Sequence, residues 1–391
     1  MQMKYFLKKY KNSYLSYFLM YNFYYLSWAL FSALISVYLM DKGFKASEVS
    51  LVVSASFLTS MITQPIIGAW NDKYDMKKVD SLLFMIASIG GIVFMLADSL
   101  AMIVISYSAV LMIINGVNPV MEKLATTSPY SYGKIRIWGT IGYAMGSQMA
   151  GLLYDRISPH AVFIAFVLTM LLCITGLLGT EPITRVHKQD DKEKIKAIDL
   201  FKNGKYVYYL CISIVFYGIT NMGNIFIPSM LTDKGLDVGV ASTVLSIAVF
   251  CEAPLVLFSY RFMDKIPNKI LLLISMSMVC IQCAVYGFNL PMPIIILVTL
   301  IAKHPAGMLY IMVNLKVVNT LIDEKQQITA LAFVATLKNL AAILFQNLAG
   351  YILDATSYSY LFRVCFACML GGLLLLAFFR IDSGNDKPLF H

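Results

Sequence analysis

Long apolar runs separated by short polar gaps fill most of this chain. They fall at about 14–39, 48–70, 79–97, 101–121, 137–155, 159–179, 206–231, 240–259, 270–288, 293–315, 330–353 and 359–379. Crossing a hydrocarbon layer takes about 20 apolar residues in an α-helix. Each run therefore predicts one membrane span, and together they predict an all-α membrane protein with 12 transmembrane helices. The first run is too long for a signal-peptide core and has no convincing small-residue cleavage site, so it reads as a retained helix.

The polar gaps carry the orientation. Of the 31 Lys and Arg residues, 24 fall on one side of the array, among them Lys4, Lys8, Lys9 and Lys11 before the first run and Arg380 and Lys387 after the last. Basic residues are retained on the cytoplasmic side, so both termini are expected there. The longest gap, TEPITRVHKQDDKEKIKAIDLFKNGK from Thr180 to Lys205, separates six runs from six. The expected organisation is a bundle over 1–180, a cytoplasmic linker over 181–204 and a second bundle over 205–391. Internal repetition supports this division. Asp72, Lys73 and Lys77 recur as Asp264, Lys265 and Lys269, and AGLLYD at 150–155 recurs as AGYILD at 349–354. Two parallel six-helix halves are the plan of secondary transporters whose substrate site lies at mid-membrane.

A formal charge of +9 would suit a nucleic-acid binder only if the basic residues formed a face. Here they are scattered between apolar runs, so no nucleic-acid partner is expected, while the lipid bilayer is one. All seven cysteines lie in apolar runs. The CxxC pairs Cys280/Cys283 and Cys365/Cys368 therefore read as packing rather than as metal or redox sites. The sequence has no P-loop, HExxH, GxSxG or dinucleotide fingerprint. Neither an enzyme nor a cofactor is expected, and uphill transport would draw on an ion gradient.

Ionisable residues near the middle of a span are expensive, at about 2.5 to 3.5 kcal/mol on insertion scales, and mark function by default. Glu252, Lys303 and Lys338 are so placed. Two readings stand side by side: a fixed ion pair locking helices in register, or a cavity-lining Glu252 that changes partner or proton during transport. His304, beside Pro305, either shares that work or is a wall residue. Trp28, Asn118, Arg136, Tyr143, Asn221 and Asn224, with Asn314, combine aromatic faces and planar hydrogen-bonding groups, the chemistry that recognises a sugar. Tyr21, Tyr24 and Tyr25 beside Trp28 read equally as packing or an interfacial belt. Glu122 reads as a surface or gate residue, or as a partner for Arg136. Gly139, Gly142, Gly146 and Gly151 predict close helix contact.

Residues 64–78, QPIIGAWNDKYDMKK, resemble the signature loop of the major facilitator superfamily between its second and third helices, with Gly68, Asp72, Lys73, Lys77 and Lys78 in the expected places. Asp75 stands where a second glycine is usual and Met76 where an arginine is common. The loop implies gating, with Gly68 allowing close helix approach, Asp72 accepting from a neighbouring helix N-terminus and the lysines holding an acidic partner.

Together with YGKIRIWGTIGYAMGSQMAGLLYD from Tyr132 and TLKNLAAILFQNLAG from Thr336, the loop makes the chain similar to the lactose permease group of oligosaccharide/proton symporters, nearly end to end. The resemblance implies that Arg136 grips sugar hydroxyls, that Glu252 links sugar and proton sites, and that Lys338 is the buried lysine of helix eleven. It also puts His304 close to the histidine of helix ten. The departures are equally specific. Asn118 stands for the galactoside-reading glutamate, Tyr143 for the stacking tryptophan, Asn221 and Asn224 for two aspartates, and no acidic residue is found near Gly307 for the proton-carrying glutamate.

The expectation is a monomeric secondary transporter in the cell membrane, of the bacterial inner-membrane type. It would take up an oligosaccharide or related glycoside with a proton by alternating access. The alternatives are a symporter of nucleosides or other hydroxylated metabolites, a drug exporter, and a membrane sensor that does not transport.

Overall fold

A computed structural model describes residues 10–181, 197–288, 290–323 and 326–380, apart from the side chains of residues 197–199 and Ile328. Most of the expected linker lies outside the described residues, as do Lys4, Lys8, Lys9 and Lys387.

The apolar runs fold as helices with few discrepancies. The first half holds α1 (Tyr14–Ser32), α2 (Ile35–Asp41), α3 (Ala46–Lys73), α4 (Met76–Leu96), α5 (Leu100–Thr126), α6 (Tyr132–Arg156) and α7 (Pro159–Gly179). The second holds α8 (Gly204–Asp233), α9 (Val238–Phe250), α10 (Ala253–Leu257), α11 (Ser259–Phe262), α12 (Asn268–Gly287), α13 (Met292–Leu321), α14 (Gln327–Ala355) and α15 (Tyr358–Phe378). Side chains cap several helix starts, as orphan N–H groups require. Ser13, Ser99, Ser158 and Ser357 accept from the first turns of α1, α5, α7 and α15.

Among the described residues, eleven helical segments are long and apolar enough to cross a membrane, α1 and α2 together making one. The missing one is α6, whose glycines, Gln148, Arg136 and flanking charges lower its hydropathy. The eighth run, expected to be one helix, is broken into α9, α10 and α11. Pro254 lies in the first turn of α10; without an N–H it leaves the helical ladder unfinished, and the turn before it holds Glu252.

Two compact units emerge, one from the described residues of 1–187 with 227–246, the other from those of 188–226 and 247–391. In the first unit α1 packs on α6 and α7, α3 on α5, and α4 on α5 and α7. In the second, α12 packs on α13 and α15.

The glycines of α6 set its distance from α1. A Cβ on Gly142 would lie 2.3 Å from the Asn22 carbonyl oxygen, and one on Gly146 2.4 Å from that of Leu26. Backbone cannot retreat as a side chain can, so these contacts exist only with glycine. At Gly151 the added atom would meet Ser242 of α9, which belongs to the same unit. Asp155, at the end of the AGLLYD repeat, accepts from the Gly239 N–H in the first turn of α9.

The signature loop differs from its expectation at two points. A Cβ on Gly68 meets nothing within 4 Å, so no described helix of its own unit packs closely against this glycine. Asp72 is exposed and bonds to no described residue; the helix-capping carboxylate is Asp75, which accepts from the N–H groups of Lys77 and Lys78. A residue in extended conformation just before α4 is better placed to cap it than one inside α3. Lys77 donates to the Thr180 carbonyl at the C-cap of α7, where a cation meets the negative end of the helix dipole.

Gly142→Val forces the α1 backbone away and is expected to lower the apparent melting temperature in detergent or abolish the monodisperse species. Gly68→Ala, with open space and a gain in helix propensity of up to about 1 kcal/mol, is expected to leave it unchanged or raise it. Size-exclusion profiles after a heating series check both.

Candidate functional site

The first unit gathers its polar side chains around Glu122. The Tyr21 and Tyr25 hydroxyls, both from α1, donate to its Oε1 at 2.7 Å and 2.9 Å. Tyr132, at the start of α6, donates to Oε2 at 2.9 Å. Arg136, one helical turn after Tyr132, brings its Nε to 4.0 Å from Oε1. A carboxylate with three hydroxyl donors and a guanidinium nearby is well compensated for leaving water. Its side chain is still 31% exposed and that of Arg136 39%, so both can meet a solute.

Arg136 is only partly spent. Its guanidinium carbon lies 5.7 Å from the centre of the Tyr25 ring, a cation–π contact. Its hydrogen bond to Thr140 Oγ1 is long, at 3.5 Å. Several of its five N–H donors are therefore available to a ligand. Gly139 makes the room, since a Cβ there would lie 2.7 Å from the Tyr21 ring and 3.1 Å from Arg136 Nη1.

Aromatic surface continues from this cluster. Trp28 stacks on Tyr25 with ring centres 5.9 Å apart and planes 23° apart. Asn118 donates to the Tyr25 hydroxyl at 3.3 Å. Pro119 follows within the same helix and cannot donate to the carbonyl four residues back, that of Asn115. Tyr143 is half-buried two turns beyond Arg136. Of the expected first-half residues, Trp28, Asn118 and Arg136 thus meet around Tyr25, and Tyr143 lies further along the same face of α6.

The sequence allows several readings of Glu122, and no motif in it marks Tyr21, Tyr25 and Tyr132 as ligands of a carboxylate. The signal was present as spacing: Glu122 follows Asn118 by four residues and so shares its helix face.

The second unit holds two basic groups in different surroundings. Lys303 Nζ lies 3.3 Å from Asn224 Oδ1 and 3.2 Å from His304 Nε2. Glu252, at the break before α10, is near enough for its charge to act on Lys303. α10 packs on α13, which carries both Lys303 and His304 and runs unbroken through Pro305. Lys338 sits instead over the Tyr217 ring, 5.5 Å from its centre. Tyr217 in turn meets Tyr310, which stacks on Phe216 with ring centres 3.8 Å apart. The expected charge network is therefore divided, Glu252, Lys303 and His304 with Asn224 in one place and Lys338 on aromatic surface in another. The Asn221 amide is turned back to the Tyr217 carbonyl at 2.8 Å, and buried Asn314 accepts from Tyr209 at 2.8 Å.

Comparison with known proteins adds three findings. The Major Facilitator Superfamily profile matches residues 17–314 and 208–390. Maltose permease of Geobacillus stearothermophilus is 24% identical over 379 residues, covering 93% of this chain and 95% of that protein, and sucrose permease of Escherichia coli is 26% identical over 168 residues, covering 39% and 40%. The crystal structure of the nucleoside transporter NupG superposes with a TM-score of 0.81 at 18% identity, over 95% of this chain and 100% of that one.

Replacing Glu122 by Leu strands three hydroxyls and Arg136. Each stranded polar group costs roughly 1 kcal/mol or more where water cannot replace its partner. Glu122→Leu is expected to lower the melting temperature in detergent clearly more than Glu122→Gln, which keeps an acceptor. Thermal unfolding of the two variants checks the order.

Proposed function

The chain belongs to the major facilitator superfamily, and from that premise we propose that it takes up an oligosaccharide or related glycoside together with a proton, by alternating access. That it is a transporter of a small molecule rather than an enzyme follows from the family and its relatives.

The observation that carries it is the pair of half-exposed, opposite charges on Arg136 and Glu122, set among Tyr25, Trp28, Tyr21 and Tyr132. A glycoside presents hydroxyls that both donate and accept, on a ring with an apolar C–H face. Arg136 donates to such hydroxyls, Glu122 and Asn118 accept from them, and Trp28 and Tyr143 offer aromatic faces for the ring. The permeases for maltose and sucrose among the relatives support the sugar reading.

Coupling falls to Glu252. A proton-carrying carboxyl needs a cation near it in one state and a drier setting in another. Lys303 supplies the cation, with His304 and Asn224 beside it, while Lys338 and Asn221 line the same half. The gate is the loop carrying Gly68, Asp72, Lys73, Lys77 and Lys78. In this reading α6 is the twelfth span, six helices lie on each side of a cytoplasmic linker over 181–204, both termini are cytoplasmic, and the protein works as a monomer in a bacterial inner membrane.

A nucleoside is the second reading, supported by the likeness in fold to NupG. Its ribose brings the same hydroxyl chemistry, so one assay separates the two. Protein reconstituted in liposomes with an internal pH dye is expected to acidify the lumen on addition of maltose, sucrose or a related glycoside. Acidification with uridine alone selects the nucleoside reading. Silence with every solute, despite measurable sugar binding, removes proton coupling.

Arg136→Ala is expected to weaken solute binding tenfold or more, about 1.4 kcal/mol, read by isothermal titration. Glu252→Gln is expected to abolish proton-driven accumulation while solute exchange continues, read by counterflow; undiminished accumulation would return Glu252 to a fixed ion pair.

A further inference from the structure

Asp80 has no place in the proposed solute site, yet it is the most conspicuous polar group in the first unit. It lies in the second turn of α4, with no exposed surface at all. One hydrogen bond reaches it, from Asn71 Nδ2 of α3 to its Oδ1 at 2.9 Å. Asp80 Oδ2 and Asn71 Oδ1 are both buried without a hydrogen-bond partner. Turning the Asn71 amide over does not help. Its Nδ2 also donates to the Ile67 carbonyl at 3.2 Å, and the flipped oxygen would face two acceptors.

An amide oxygen and an ionised carboxylate can only accept. With Asp80 ionised the site lacks a positive hydrogen, which a proton on Asp80 supplies. It turns Oδ2 into a donor on the carboxyl that the Asn71 amide already contacts, and removes the charge from a place where it has no counter-ion. The neighbours offer no other compensation. From α1 the nearest titratable group is Tyr24, whose hydroxyl donates to the Ile114 carbonyl at 2.6 Å. From α7 it is Cys173, whose thiol points to the Met20 carbonyl at 3.3 Å. On α5, Glu122 is held by its tyrosines and Arg136, and Lys123 is exposed. On α4 itself Lys77 is spent on Thr180, Lys78 is exposed, and Asp75 caps the helix. On α3 Asp72 and Lys73 are exposed.

We infer that Asp80 is a proton-binding site, and that the protonated Asp80–Asn71 pair is a latch closing the turn between α3 and α4. Asn71 lies in the last turn of α3 and Asp80 in the second turn of α4, so the pair bridges the two helices across Tyr74 and Asp75. Loss of the proton leaves a buried carboxylate and two unpaired oxygens at this junction. The relief is to part the helix ends and admit water, which ties the geometry of the loop carrying Lys73, Lys77 and Lys78 to pH. This site is separate from Glu252 and does not depend on the identity of the solute.

The test is infrared spectroscopy of the reconstituted protein at neutral pH, with carbon-13 in the aspartate carboxyls. A carbonyl band of a protonated acid that shifts with aspartate labelling and is missing in Asp80→Asn is the expected result. Glutamate is unlabelled, so Glu252 does not contribute. Should Asp80→Asn fail to fold, Asp80→Glu keeps the carboxyl and is expected to lose the labelled band, because its own carboxyl is unlabelled. The melting temperature of the wild type is expected to fall as pH rises from about 4, where the unfolded carboxyl titrates, until the native protein gives up its proton, since over that window the native state holds a proton that the unfolded chain has released. In Asp80→Asn that fall is expected to be reduced. No labelled acid band at neutral pH overturns the inference. So does stabilisation by sodium over choline that vanishes in Asp80→Asn, which would make the missing positive partner a metal cation.

Discussion

A charged or hydrogen-bonding side chain inside an apolar helix must find a partner within the protein, because hydrocarbon supplies none. The chain answers this demand differently at each place. Glu122 is held by three tyrosine hydroxyls and an arginine, Lys303 by an asparagine and a histidine with a carboxylate nearby, and Lys338 by the face of a tyrosine. The partners come from different helices, so the pairings also specify which helix faces meet. A half-exposed pair such as Arg136 and Glu122 holds position without exhausting its hydrogen-bonding capacity, and that spare capacity is what a hydroxylated solute can use.

Backbone geometry sets up these pairings. The glycines of α6 bring it against the α1 backbone, and Gly139 opens the space in which Tyr21 and Arg136 lie together. Pro65, Pro119, Pro228 and Pro305 sit inside helices, each leaving a carbonyl without its usual donor. Three of them lie within four residues of Asn118, Asn224 or His304. The break before α10 has the same origin and leaves Glu252 in a turn, its N–H on the Val249 carbonyl and its carbonyl starting the next helix.

Much of the fold was legible because apolarity alone decides it. Run lengths of about 20 residues leave little choice but membrane helices, and the helix ends differ from the run ends by only a few residues. Local chemistry was harder to read. The family-like position on α5 is Asn118, whereas the carboxylate is Glu122 one turn later on the same face. Pro254, two residues past Glu252, was the available sign of the helix break. In the signature loop, Asp75 looked like a departure from pattern, yet it caps α4, while Asp72 and Gly68 lack the contacts expected of them. The Asp80–Asn71 pair was invisible as sequence, since a lone aspartate near a span end reads as surface until the burial of both partners is known.

The central claim is that Arg136 recognises hydroxyl groups of a glycoside. The most direct measurement is a double-mutant cycle across the binding step, in which isothermal titration compares a transported glycoside and its monodeoxy analogues on wild-type protein and on Arg136→Lys. If the claim holds, one deoxy position loses affinity on the wild type and little or none on the variant, a coupling of about 1 kcal/mol or more. Equal losses on both proteins at every position would show that Arg136 does not touch the solute hydroxyls and would contradict the account.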